Sequence, residues 1–302
     1  MMTRRSILLL IPVLLLVGLL VRGFSSKIGL GSSPHRNGSY AWPSCGQAAI
    51  GTVEKGVIAR SADSETPAPI ASMAKLITAM AILERQPLSP GQAGPTYTIA
   101  AKDIESMNTY IADGGSALPM FIGMKVTEYQ ALQRMLIASD NNMADVLAER
   151  VFGSTDGYIS YARDMLNRMG LHHTTVADAS GFCSSTVGTP SDMIAIGIAA
   201  LRDAVIAGIV ARQHARLPAA GVITNTNQLL GIDGVIGIKT GTTSEAGSCL
   251  LFAAPYASNN KQKGIIVGVV MGDRNHRRLY ADCKDLLASA KMALQANHEK
   301  PK

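Results

Sequence analysis

Hydrophobic patterning divides this chain into β-type ends and a helical middle. That division restricts the possible fold more than any other feature. Residues 47–52 and 57–60 are short β-prone runs separated by Glu54-Lys55-Gly56, the pattern of a hairpin. Residues 235–238, 248–254 and 264–271 are β-type again, and Ala257-Ser258-Asn259-Asn260-Lys261 forms a polar tip between the last two. Between these ends the period changes to that of helices. Residues 72–84 carry Met73, Leu76, Ile77, Met80, Ile82 and Leu83 at helical spacing. Thr127-Glu128-Tyr129-Gln130 is a capping box opening a helix to about Ala138. Further helices are predicted over 143–151, over 157–169 with Gly170 closing it, and from Thr189-Pro190 to Leu201. Residues 278–295 form a closing amphipathic helix with Leu279, Cys283, Leu286, Leu287 and Ala290 on one face. The expected assembly is α+β: one antiparallel sheet built from both chain ends, packed against a helical subdomain.

The first 26 residues stand apart. Arg4 and Arg5 precede an unbroken apolar run from Ile7 to Val21, the form of a secretory signal or an N-terminal membrane anchor. Residues 27–40 are rich in Gly and Ser and read as a flexible tether, which leaves 41–298 for the folded domain. The folded part is therefore expected outside the cytoplasmic membrane, attached through its N-terminus.

Charge and composition exclude several classes. Of the net charge of +6, Arg4, Arg5 and Arg22 account for half. The remaining basic residues form no stripe with interleaved aromatics, so no nucleic-acid surface is expected. The only basic cluster is Arg274-Asn275-His276-Arg277-Arg278. With 47% apolar and 17% charged residues the chain is not a disordered one. Cys45, Cys183, Cys249 and Cys283 are scattered, with no C-x-x-C pair; export permits a disulfide, and buried free thiols are an equal reading. His172-His173 reads as a surface loop, and no metal or organic cofactor is implied. The 14 methionines fall at helical spacing as core filler, and Trp42 is expected to pack at the start of the domain.

Three short motifs carry chemistry. Ser72-Met73-Ala74-Lys75 is S-x-x-K at a helix start, where spacing i to i+3 puts a hydroxyl and an amine on one face. A serine hydroxyl is a weak nucleophile until a base takes its proton, and Lys75 can do so only when neutral, through burial or a second cation. Ser139-Asp140-Asn141 lies in the break between two helices. Ser139 offers a hydroxyl that passes a proton, and Asn141 an amide that orients Lys75 or holds a carbonyl. Lys239-Thr240-Gly241 ends a strand. Lys239 supplies the second cation and attracts a carboxylate, and Gly241 lets a substrate backbone lie along the strand edge. Ser258-Asn259-Asn260-Lys261 repeats the S-x-x-K spacing, but on a polar hairpin tip with no helix behind it. Each motif alone is weak; the ordered set, each in its own element, is strong.

The set resembles the penicillin-recognising serine enzymes, and more narrowly the D-alanyl-D-alanine carboxypeptidases among the low-molecular-mass penicillin-binding proteins. The likeness extends over residues 45–296. It includes residues 70–79, 225–230, 234–247 and the loop Asp178-Ala179-Ser180-Gly181-Phe182. The resemblance implies the β-lactamase/transpeptidase-like fold and removal of the terminal D-alanine from peptidoglycan stem peptides through an acyl-enzyme on Ser72. It implies Lys75 as base, Ser139 as proton relay, and backbone N–H groups of Ser72 and Thr242 as oxyanion hole. Lys239, Thr240 and Thr242 would hold the terminal carboxylate. An arginine after the last strand would assist them, Arg278 in preference to Arg277. β-Lactams are expected to acylate Ser72 as inhibitors, and Asp178 is expected to be structural.

Alternatives remain. A class A β-lactamase shares the three motifs, and Asp140 gives its S-D-N form where the carboxypeptidases usually carry Gly. It also needs a Glu-x-x-x-Asn pattern, which does not occur between Asn141 and Lys239. A D,D-endopeptidase of the same fold fits as well as a carboxypeptidase. A tethered sensing domain that acylates without turnover fits less well, because the full catalytic set is present. Many carboxypeptidases of this type continue into a C-terminal β-domain; this sequence ends at Lys302, so the expected tether is N-terminal.

Overall fold

A computed structural model describes residues 35–37, 40–62, 64–257 and 263–296. The export segment, most of the tether and the Ser258–Lys261 copy of S-x-x-K lie outside the described residues. A short ribbon, β1 (His35–Asn37) with β2 (Tyr40–Trp42), leads into β3 (Gln47–Thr52) and β4 (Gly56–Arg60). After β5 (Ala68–Pro69), a 3₁₀ turn over Ala71–Ala74 runs directly into α1 (Lys75–Arg85). The helical middle comprises β6 (Thr96–Thr98), α2 (Ala101–Ala112), β7 (Lys125–Thr127), α3 (Glu128–Ile137), α4 (Asn141–Phe152) and α5 (Thr155–Arg168). It continues through β8 (Val187–Gly188), α6 (Pro190–Arg202), α7 (Ala204–Val210), β9 (His214–Leu217) and β10 (Gly221–Thr224). The chain closes with β11 (Gly237–Thr243), β12 (Gly247–Ala257), β13 (Lys263–Asp273) and α8 (His276–Ala296).

The two chain ends do form one antiparallel sheet, in the order β11-β12-β13-β3-β4. Its seam is the pairing of β13 with β3, where Val269 faces Ala49 and Val267 faces Gly51. Strand alternation sorts the side chains into two cores. Ala49, Leu251, Val267 and Val269 join Leu76, Ile77 and Ile194 of the helical side. Ile50, Leu250, Phe252 and Val270 join Trp42 and the Leu279, Cys283, Leu286 and Leu287 face of α8. A sheet covered on both faces explains why β12 and β13 read as continuous apolar runs. The four cysteines are free thiols; Cys249 and Cys283 are buried, and Cys183 is exposed.

The helix boundaries agree with the capping signals. Thr127 Oγ1 accepts from the Gln130 N–H at 3.3 Å, and Thr189 Oγ1 accepts from the Asp192 N–H at 3.3 Å. Two expectations fail in detail. α1 starts at Lys75, not Ser72, because Ala71 has φ +47° and the turn behind it is 3₁₀. Lys239-Thr240-Gly241 lies in the middle of β11, not at its end, because Thr242 and Thr243 stay paired with Ser248 and Gly247.

Candidate active site

The break between α3 and α4, the start of α1 and the edge strand β11 converge. Lys75, fully buried at the first turn of α1, has three acceptors for its three N–H bonds. It donates to Ser72 Oγ at 2.8 Å, Asn141 Oδ1 at 2.6 Å and the Ser180 carbonyl at 2.7 Å. Across from it Lys239, also buried, donates to Ser139 Oγ and to the Thr240 carbonyl, each at 3.0 Å. The structure thus brings Ser72, Lys75, Ser139, Asn141 and Lys239 into one cluster.

Burial lowers the affinity of both amines for a proton. It brings Lys75 down to about 7, against the pull of Asp178, Asp140 and Asp145. Lys239 is held well below its ordinary value, by burial first and by the neighbouring Lys75 charge second. A lysine poised near neutrality and hydrogen-bonded to a serine hydroxyl is equipped to take that proton.

Strained backbone delivers the serines. Ser139 has φ +62° and Ala71, beside Ser72, has φ +47°, a region that costs L-residues of this kind about 1–2 kcal/mol each. Surrounding bonds hold both in place. Asp140 is buried and accepts from Arg134 Nε at 2.7 Å and from the Leu118 N–H at 3.2 Å. Arg134, itself buried, also donates to the Leu118 carbonyl at 2.9 Å. The aspartate that departs from the usual carboxypeptidase motif is thus the anchor of the serine–asparagine turn and is committed to Arg134.

The Asp178 loop closes the other side. Asp178 Oδ2 accepts from Ser180 Oγ at 2.7 Å and the Phe182 N–H at 2.9 Å, and Oδ1 accepts from Thr186 Oγ1 at 2.6 Å. Thr78 Oγ1 donates to the Ala179 carbonyl at 2.7 Å. These bonds aim the Ser180 carbonyl at Lys75, so the expected structural part for Asp178 has a mechanism. Gly181 (φ +74°) lies so close to the Ser72 turn that a Cβ there would stand 1.9 Å from the Ala71 carbonyl oxygen.

Several sequence-based expectations change at β11. A Cβ at Gly241 would stand 3.0 Å from Ala71 Cβ, the Ile70 carbonyl oxygen and the Ser72 nitrogen. The glycine admits the 70–72 turn against the strand, a reason different from room for substrate. Thr240 Oγ1 lies 2.5 Å from Thr226 Oγ1, one hydroxyl donating to the other. Thr242 is exposed, with its hydroxyl on the Gly241 carbonyl at 2.8 Å.

Arg278 is not brought to the cluster. It sits in the first turn of α8 with Nε 3.4 Å from Asp282, an i,i+4 pair on its own helix. The arginine nearer the end of β11 is Arg274. With Thr242, Thr243 and Ser244 it lines a cleft of about 590 Å³ at the end of β11. It belongs to the basic cluster already visible in the sequence. Its signal was its place directly after β13, before the chain turns into a helix.

Comparisons with known proteins agree with this geometry. A protein-family profile described as D-alanyl-D-alanine carboxypeptidase matches residues 45–275. A D-alanyl-D-alanine endopeptidase of Haemophilus influenzae is 27% identical over 209 residues, covering 67% of this chain and 68% of that one. A D-alanyl-D-alanine carboxypeptidase of Streptomyces sp. K15 is also 27% identical over 209 residues, covering 63% and 69%. The crystal structure of the Streptomyces K15 DD-transpeptidase superposes with a TM-score of 0.71 at 23% identity, over 84% of this chain and 99% of that one. A D-alanyl-D-alanine carboxypeptidase structure from Mycobacterium tuberculosis gives 0.71 at 23% identity, over 87% and 96%. With the profile spanning most of the folded part, the chain belongs to the D-alanyl-D-alanine carboxypeptidase family of penicillin-binding serine hydrolases.

Proposed function

We propose that Ser72 is the nucleophile of this D-Ala-D-Ala carboxypeptidase, and that Lys75 is its base. The observation that carries the assignment is the 2.8 Å bond between a buried amine and the Ser72 hydroxyl. Neutral Lys75 takes the Ser72 proton as Oγ adds to the carbonyl between two D-alanines. The terminal D-alanine leaves with a proton passed through Ser139, whose hydroxyl is held by Lys239. Water then hydrolyses the acyl-enzyme and regenerates Ser72. The backbone N–H groups of Ser72 and Thr242 receive the oxyanion, a reading supported by the close approach of β11 to the Ser72 nitrogen. Lys239, Thr242 and Arg274 attract the terminal carboxylate, Arg274 in place of Arg278.

The substrate class is the peptidoglycan stem peptide, and β-lactams acylate the same serine. We also infer that residues 1–26 export the chain and hold it at the outer side of the cytoplasmic membrane, a reading supported by Arg4-Arg5 and the apolar run behind them. Endopeptidase action is the second reading, favoured by relatives of that name. A β-lactamase is disfavoured: among the described residues no carboxylate bonds to Ser72 or Lys75, and Asp178 and Asp140 are committed elsewhere.

The test is D-alanine release from a diacyl-lysyl-D-Ala-D-Ala peptide, beside cleavage of a cross-linked dimer, across pH. The neutral amine is the active base, so the rate is expected to rise with pH through about 7, where Lys75 loses its proton. Preferential cleavage of the dimer would replace carboxypeptidase by endopeptidase. A flat profile would remove Lys75 from the base role.

A further inference from the structure

A general base works only when its lone pair is aimed at the proton it takes. Neutral Lys75 has one lone pair and two N–H bonds, and its three neighbours divide accordingly. Asn141 Oδ1 at 2.6 Å and the Ser180 carbonyl at 2.7 Å can only accept, so they take the N–H bonds. The lone pair is left for the Ser72 hydroxyl at 2.8 Å. Where the base points therefore depends on where the Ser180 carbonyl stands.

That carbonyl belongs to a loop, and two helices hold the loop from behind. Thr78 of α1 places its Oγ1 2.7 Å from the Ala179 carbonyl and 3.4 Å from the Ala74 carbonyl. Carbonyls only accept, so the Thr78 proton is committed to them. The Tyr158 hydroxyl, 2.7 Å from Thr78 Oγ1, is then the donor to it. Burial pushes the Tyr158 phenol up, so it keeps that proton at every working pH. Tyr158 sits near the start of α5, where Ser154 Oγ caps the helix by accepting from the Gly157 N–H at 3.0 Å. With Ala162, Met165 and Leu166 it forms the buried face of that helix. Two hydrogen bonds thus lead from Tyr158 through Thr78 to Ala179, one residue before the carbonyl that holds Lys75. Tyr158, Thr78, Ala179 and Ser180 are all buried, so each bond in the run polarises the next and none competes with water.

We propose that Tyr158 is a positioning residue for the acylation of Ser72: acting through Thr78, its hydroxyl fixes the loop so that the Ser180 carbonyl turns the Lys75 lone pair to Ser72. The proposal rests on Lys75 as the base and adds to it a residue of a different helix. The Tyr158 ring has its own packing, with its centroid 5.7 Å from that of Phe152. The hydroxyl is therefore separable from the fold, and it is the hydroxyl that carries the proposed effect.

The test is the rate at which a fluorescent penicillin labels Ser72 in the full chain, per folded molecule, with urea denaturation beside it. Tyr158→Phe keeps the ring and removes the O–H; it is expected to slow labelling about fivefold, the scale of one neutral hydrogen bond. Thr78→Val, close in shape, removes both bonds and is expected to cost about thirtyfold. Thr78→Ser keeps a hydroxyl and should bring most of the rate back. Because Tyr158 acts through Thr78, adding Tyr158→Phe to Thr78→Val should slow labelling no further. A loss of stability with labelling unchanged in Tyr158→Phe is the mark of a purely structural phenol and would overturn the proposal. So would a fivefold loss that persists when Tyr158→Phe is added to Thr78→Val.

The pH profile of the same reaction ties the effect to Lys75. A carbonyl that accepts from an ammonium favours the charged form, so loosening it lowers the proton affinity of the amine. The midpoint of the rate profile, near 7 in the wild type, is expected to move to lower pH in Thr78→Val. The charges facing Lys75 are Asp178 on its loop, Asp140 and Asp145 at and within α4, and Lys239 on β11; all are unchanged in these variants. A slower Thr78→Val with the wild-type midpoint would place the effect away from Lys75 and overturn the proposal. No label on wild-type Ser72, or full-rate labelling in Lys75→Ala, would instead overturn the base assignment beneath it.

Discussion

Replacing Lys75 by alanine is expected to slow acylation of Ser72 about 10³–10⁴-fold, the upper range for loss of a general base. The argument is local. Among the described residues no imidazole bonds to Ser72; the group bonded to its hydroxyl is Lys75 Nζ. Burial keeps that amine near neutrality, and Asn141 and the Ser180 carbonyl fix its position. Lys75→Arg should not restore the rate, because a guanidinium keeps its proton at any working pH. The measurement is the rate of Ser72 labelling by a fluorescent penicillin, with circular dichroism to show an intact fold. A near wild-type rate in Lys75→Ala would move the base role to Lys239, which reaches Ser139 rather than Ser72.

The largest stability effect is expected at Arg134→Met. Arg134 and Asp140 are both removed from water, and their ion pair is 2.7 Å long. Burial alone pushes the Asp140 carboxyl up, and Arg134 opposes that. Methionine matches the volume but strands the carboxylate, a loss of about 3–5 kcal/mol for a buried pair broken on one side. The Leu118 and Pro119 carbonyls would lose their donors as well. Adding Asp140→Asn to Arg134→Met should recover part of the loss, since a neutral amide needs no counter-charge. Urea denaturation of the three variants checks this. A shift under about 1 kcal/mol in Arg134→Met, the size of an exposed ion pair, would mean the pair is not the anchor of the turn.

What the sequence made legible was local. S-x-x-K, S-D-N and K-T-G each lie within four residues, and a helix turn or a strand fixes the direction of side chains over so short a span. The sheet from both ends was legible because β-type runs stood at both ends. Longer-range choices were not. Arg134 pairs with Asp140 across a helix end and a turn, where no helical spacing applies. The positive φ values of Ala71 and Ser139 are imposed by packing on residues that do not favour them. Arg274 and Arg278 are separated only by where β13 gives way to α8. The pattern of charges does not record that point, so the preference for Arg278 failed. Gly241 was read as leaving the strand edge open to a substrate backbone; the neighbour packed against it is the 70–72 turn, which no local pattern announces.

The central claim is that Ser72 forms the acyl-enzyme. Mass spectrometry of the full chain incubated with penicillin, beside Ser72→Ala, tests it most directly. A covalent adduct confined to Ser72, absent from the variant, together with D-alanine release from the lysyl-D-Ala-D-Ala peptide by wild type alone, is the predicted result. An unmodified wild-type protein with penicillin left intact, or an adduct that survives in Ser72→Ala, would contradict the account.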